Sequence, residues 1–139
     1  MTWLTWAILS AVFAAATAIL AKLGVEGVDS NFATAVRTTV VVIFTWLFAY
    51  IARQPGTFDV PSNRTWIYLA LSGLATGLSW LCYFRALQLG PASRVAPVDK
   101  LSVALVILFG MAFLGERLTW GKALGGALIV AGAIFVALD

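Results

Sequence analysis

Histidine is absent from the 139 residues, and cysteine occurs once, at Cys82. The first absence removes the commonest general base, the commonest metal ligand and any histidine proton relay. The second rules out an internal disulfide framework and a cysteine metal site. Cys82 lies in an apolar stretch and reads as a small buried filler. Charge is scarce too: Asp, Glu, Lys and Arg make up 11% of the chain, against about 25% in soluble domains. The remaining residues assemble no nucleophile–base pair, no nucleotide-binding glycine loop and no metal cluster. Neither an enzyme nor a bound cofactor is therefore expected.

Apolar surface is abundant instead. Hydrophobic residues make up 62% of the chain, and the mean hydropathy is +0.98. A soluble chain this short has too much surface per volume to hide such a share. Its natural solvent is a lipid bilayer. The net charge of +3 and pI near 9.4 do not indicate nucleic acid, because the basic residues are scattered between apolar runs and form no face or tail.

A helix needs about 20 mostly apolar residues to cross about 30 Å of hydrocarbon. Five segments qualify: residues 3–21, 32–51, 65–87, 94–114 and 119–138. No backbone polar group can go unpaired in lipid, so these runs are expected as helices. They lack the alternation of a barrel strand and are about twice its length. The first run has no Lys or Arg before it and exceeds the about 7–15 apolar residues of a secretion signal, so it reads as a membrane helix rather than a removed leader. Between the spans lie turn formers: Gly24 and Gly27 with Asp29-Ser30-Asn31 as cap candidates, Gln54-Pro55-Gly56 with Pro61-Ser62-Asn63, and Gly90-Pro91 with Ser93 as a candidate cap. Residues 115–118 are so short a link that the fourth and fifth spans must be antiparallel neighbours. No linker is long enough to separate domains, so residues 1–139 are expected to form a single five-helix transmembrane domain of the all-α class.

Five spans put the two ends on opposite sides of the membrane. The side holding the N-terminus carries Arg53, Arg64, Arg117 and Lys122; the other carries Lys22, Arg37, Arg85, Arg94 and Lys100. Orientation follows a clear excess of Lys and Arg on the cytoplasmic side, and four against five is no clear excess. Two readings are open: one orientation wins through finer detail, or the chain inserts both ways and pairs with its inverted twin.

Ionisable residues inside spans are costly and usually functional. Arg37 lies about two turns into the second span, Arg85 in the last turn of the third, and Asp99 and Lys100 about two turns into the fourth, just past Pro97. Asp99 can pair with Lys100, Arg85 or Arg37. The functional reading is a substrate-facing pocket or gate suited to a carboxylate or another polar group; the alternative is snorkelling plus a structural ion pair. In the third span Ser72, Thr76, Ser79 and Tyr83 follow i, i+4, i+7, i+11 spacing and share a face, with Trp80 beside it. Such a stripe suits the wall of a solute path, or it is a set of hydroxyls bonded to carbonyls and neighbouring helices. Arg37, Ser72, Thr76, Ser79, Trp80, Tyr83, Asp99, Lys100 and Ser102 are the substrate-path candidates, whereas Arg85 reads as snorkelling. Thr34, Thr38 and Thr45 echo the stripe in the second span. Gly73 with Gly77, and Gly121 with Gly125 and Gly132, are small-residue stripes that let helix backbones approach closely; the latter fits protomer or dimer contacts.

The run Ala86-Leu87-Gln88-Leu89-Gly90-Pro91-Ala92-Ser93, then Val95-Ala96-Pro97-Val98-Asp99-Lys100-Leu101-Ser102, then Leu114-Gly115-Glu116-Arg117-Leu118-Thr119 resembles the EamA-type family of the drug/metabolite transporter superfamily. The first two spans are similar more loosely, with Arg37 where such proteins often carry an Arg. The resemblance implies a multi-pass protein of the inner cell membrane that exports or exchanges small metabolites, amino acids or drug-like solutes. Most members are similar to two such units fused as inverted repeats, with solute bound between the halves. This chain has one unit, half of such a bundle. The resemblance therefore implies that an antiparallel homodimer supplies the second half. Glu116 is expected to cap or brace the corner before the fifth span. The rival readings are a non-transporting membrane subunit or half of a hetero-oligomeric transporter, and a small channel.

Overall fold

A computed structural model describes residues 2–52 and 62–139. Arg53, the Gln54-Pro55-Gly56 turn and Pro61 lie outside the described residues. Six helices follow in chain order: α1 (Trp3–Gly24), α2 (Ser30–Ile51), α3 (Asn63–Leu89), α4 (Ala92–Asp99), α5 (Leu101–Leu114) and α6 (Trp120–Leu138). Among the described residues there is no strand. Taking α4 and α5 as one crossing, five stretches of 19 to 27 residues are long and apolar enough to span a membrane. At about 1.5 Å per residue, even the shortest reaches roughly 28 Å.

The helices run slightly past the apolar segments at most ends. Lys22, Ser30 and Gln88 are helical although polar, because helix ends lie where headgroups and water can solvate them. The caps explain the starts. Asp29 Oδ1 accepts the backbone N–H groups of Asn31 and Phe32, both at 3.0 Å, and so opens α2. Thr119 Oγ1 accepts the Lys122 N–H at 3.3 Å and opens α6. Ser93 is not a cap: α4 begins at Ala92 behind Pro91, whose fixed φ already sets the helix start, and Ser93 falls inside the first turn.

The expected unbroken fourth span is interrupted. Pro97 has no N–H to give to the carbonyl of Ser93. The Lys100 N–H turns back to the Pro97 carbonyl at 3.1 Å, closing a tight turn that ends α4 and starts α5.

The chain divides into two compact units, Met1–Leu23 with Leu89–Asp139, and Gly24–Gln88. In the first, α6 packs against both α4 and α5. The α5–α6 corner turns on Gly115, at φ 67°. That left-handed conformation suits glycine at a helix C-terminus. The Glu116 N–H then reaches back to the Gly110 carbonyl at 3.1 Å. The Glu116 carboxylate accepts from Lys122 Nζ at 2.7 Å, bracing the corner from the far side. Gly126 lies against Ile107: a Cβ built there would stand 3.1 Å from Ile107 Cδ1. The buried residues of this unit are small, namely Ala18, Ala21, Gly110, Gly126 and Ala133. Lys22 Nζ donates to the Gly90 carbonyl at 3.1 Å and ties the end of α1 to the start of α4.

In the second unit, the start of α2 lies beside the end of α3. Gln88 Nε2 donates to the Val28 carbonyl at 2.9 Å, and Arg85 donates to Gln88 Oε1. Val25, Ser30, Thr34, Phe84 and Leu87 are buried. Elsewhere the helices show apolar side chains on most sides: Trp3 and Phe113 are each 81% exposed, and Trp120 83%. Faces of this kind need lipid or another protein surface to cover them.

Candidate functional site

The second unit holds the feature that packing alone does not demand. Arg37 is the eighth residue of α2, so its Cα lies about 10 Å along the helix from Ser30. The guanidinium carbon sits 4.3 Å from the Trp80 ring centroid and 5.4 Å from that of Phe84. The two rings are one turn apart on one face of α3. Cation–π contacts of this kind are worth about 0.5–2 kcal/mol, most when water is excluded. Trp80 thus acts as a platform for Arg37, and Phe84 extends it. Neither of the ion pairs Lys100–Asp99 and Lys122–Glu116 involves Arg37.

Around Arg37 the hydroxyls turn inward to their own helices. Thr34 Oγ1 donates to the Ser30 carbonyl and Thr38 Oγ1 to the Thr34 carbonyl, each at 2.7 Å. Thr39 and Thr45 bond in the same way, to Ala35 and Val41. This is what a hydroxyl does in a helix with no water at hand. A groove of about 480 Å³ beside them is lined by Thr34, Ala35, Thr38, Thr39, Val42, Ile43, Gly77 and Leu81. With the threonine protons committed to carbonyls, its lining is mainly hydrocarbon.

The third-span stripe lies on α3 as spaced. Ser72, Thr76 and Ser79 are exposed and Tyr83 half-buried. Thr76 Oγ1 donates to the Ser72 carbonyl at 2.9 Å. The structure thus brings Arg37 and Trp80 together, a pairing that helix spacing alone could not give. Phe84 and Gln88 give no periodic signal in the sequence, being an aromatic and an amide near a helix end. Cys82 is exposed rather than buried: it lies two residues from both Trp80 and Phe84 and so points away from the face they share.

Asp99 and Lys100 flank the α4–α5 break and pair with each other at 3.1 Å. Their side chains are 36% and 57% exposed. Ser102 lies exposed in the first turn of α5. At Gly73, Gly77, Gly121, Gly125 and Gly132 an added Cβ would meet nothing of the other described residues within 4 Å, the helix's own backbone aside. The close approach inside this chain falls to Gly126, next in sequence to Gly125 but on a different face of α6.

Five membrane-length helices with a cation held inside one of them define a multi-pass membrane protein. The chain belongs to the EamA-like transporter family, whose model matches residues 1–138. It is 53% identical over 140 residues to an uncharacterized transporter in the cobO 3' region of a Sinorhizobium species, covering 99% of this chain and 97% of that one. Uncharacterized transporter YxxF of Bacillus subtilis (strain 168) is 29% identical over 128 residues, 91% of this chain and 40% of that one. A probable 4-amino-4-deoxy-L-arabinose-phosphoundecaprenol flippase subunit, ArnF, of Erwinia tasmaniensis is 41% identical over 70 residues, 49% of this chain and 55% of that one. No solved structure matches the chain.

Proposed function

We propose that the chain is a single five-helix domain forming half of a secondary transporter. It works in the inner cell membrane as an antiparallel homodimer and moves small metabolites, amino acids or drug-like solutes by alternating access. The observation that carries transport over a mere anchoring role is Arg37, an ionised group held inside a span on an aromatic platform. Membrane helices that only anchor have no use for such a costly group. The path candidates are Arg37, Trp80 and the α3 stripe of Ser72, Thr76, Ser79 and Tyr83 in one unit and, in the other, Asp99, Lys100 and Ser102 at the α4–α5 break. No catalysis is part of this reading.

Three observations support the inverted pair. Lys and Arg divide almost evenly between the two sides. Gly73 and Gly77 of α3 and Gly121, Gly125 and Gly132 of α6 stand open among the described residues, as surfaces awaiting a close neighbour do. The Sinorhizobium transporter is of nearly the same length, so a unit of this size carries that name without a fused second half. One observation favours the alternative of a hetero-oligomeric half: the Erwinia relative is named as a subunit.

The test is orientation. A fluorescent reporter active only in the cytoplasm and a phosphatase active only outside it are fused in turn to the C-terminus. Signal from both is expected. Signal from one alone, with no partner unit co-purifying, would remove the inverted pair and leave a single-orientation transporter.

A further inference from the structure

A snorkelling arginine sends its head toward the nearest water. Arg37 does not: its guanidinium lies over two rings of α3, 4.3 Å from the Trp80 centroid and 5.4 Å from that of Phe84, which stand nine and five residues from the end of α3. Its charge is therefore held against α3 within the span. Rings satisfy the faces of a guanidinium but not its edge, where five N–H donors lie in one plane. Among the described residues no ion pair joins Arg37 to Glu26, Asp29, Asp99, Glu116 or Asp139; Asp99 and Glu116 pair with lysines, and Asp29 caps α2. Thr34 and Thr38 give their protons to backbone carbonyls, and the Tyr83 hydroxyl lies near enough to interact electrostatically with Arg37, which is the charged donor of this face. A charged planar donor left without an anion in low dielectric is unstable unless something supplies one.

We propose that Arg37, laid on Trp80 and Phe84, anchors an anion subsite that takes a carboxylate or phosphate group edge-on through paired N–H bonds. The inference rests on the transporter reading for its purpose but not for its geometry. The anion comes from one of two sources, a free organic solute or the headgroup of a phospholipid.

The full chain is placed in phosphatidylcholine nanodiscs and titrated with four probes of matched size: benzoate, phenyl phosphate, benzylamine and benzyl alcohol. Binding is read by thermal shift. Wild type is expected to prefer the two anions, and Arg37→Gln to weaken them about tenfold or more while leaving benzyl alcohol unchanged. Arg37→Lys keeps the charge but loses the paired geometry, and is expected to recover part of the affinity. In a second arm, phosphatidylglycerol is mixed into the discs. A stabilisation that Arg37→Gln abolishes, without any response to benzoate or phenyl phosphate, supports the subsite and assigns the anion to the lipid. No anion preference in wild type in either arm, or full anion affinity in Arg37→Gln, overturns it. If Arg37→Gln does not insert, the charge preference of wild type decides alone. Flux in proteoliposomes separates the two claims: anion binding without flux of any probe sinks transport and keeps the subsite, whereas flux of benzoate or phenyl phosphate that Arg37→Gln leaves unchanged keeps transport and sinks the subsite.

Discussion

Asp99 and Lys100 are neighbours in sequence, and on a regular helix their side chains would point about 100° apart. They meet at 3.1 Å because the helix stops between α4 and α5. A pair this exposed contributes about 0–1 kcal/mol when solvated, too little to explain its presence inside a span. We therefore expect Asp99→Asn and Lys100→Ala to reduce solute export while the amount of protein in the membrane stays within about twofold of wild type. Growth tolerance to toxic amino-acid analogues, normalised to membrane-inserted protein, measures this. Undiminished tolerance in both variants returns the pair to a structural role. At this scale the sequence was half legible. Arg37, Asp99 and Lys100 stood out as charges in apolar surroundings, yet Asp99 had three candidate partners, and the platform under Arg37 came from a different helix. Spacing along one helix fixes a face but not what that face meets.

Among the elements, the α5–α6 corner was the most readable. Its length forced an antiparallel pair, and Glu116 was a brace before it had a partner. The break at Lys100 was not readable, although Pro97 was in view. A proline deletes one hydrogen bond and crowds the preceding turn, but whether the chain kinks or stops depends on what packs beside it. The glycines of α6 make the same point. Gly125 and Gly126 are adjacent, and only the register against α5 shows that Gly126 takes the close contact with Ile107. Gly126→Leu is expected to destabilise the folded chain by about 1–3 kcal/mol through overpacking. Gly121→Leu, at a position where a Cβ meets nothing of the other described residues within 4 Å, is expected to leave that stability unchanged and to lower the dimer fraction instead. Thermal unfolding and crosslinking in native membranes separate the two variants; equal loss of stability would refute the assignment of these faces.

For the molecule as a whole, an odd number of crossings has a geometric use. Two copies joined end to end by a short polar linker are expected to insert with the second copy inverted, and to export solute at the level found for the unlinked chains. Adding one further membrane helix to the linker forces both copies to face the same way, and export should fall to background. Retention of export in that parallel tandem would rule out the inverted pair. Inversion also bears on Asp99 and Lys100, which lie at the α4–α5 break. In a pair related by such a flip, each membrane surface is served by the same residues. A substitution then alters the inward-opening and outward-opening steps alike, and the protein has no means of acting as a ratchet. Net direction is left to the gradients on either side of the bilayer.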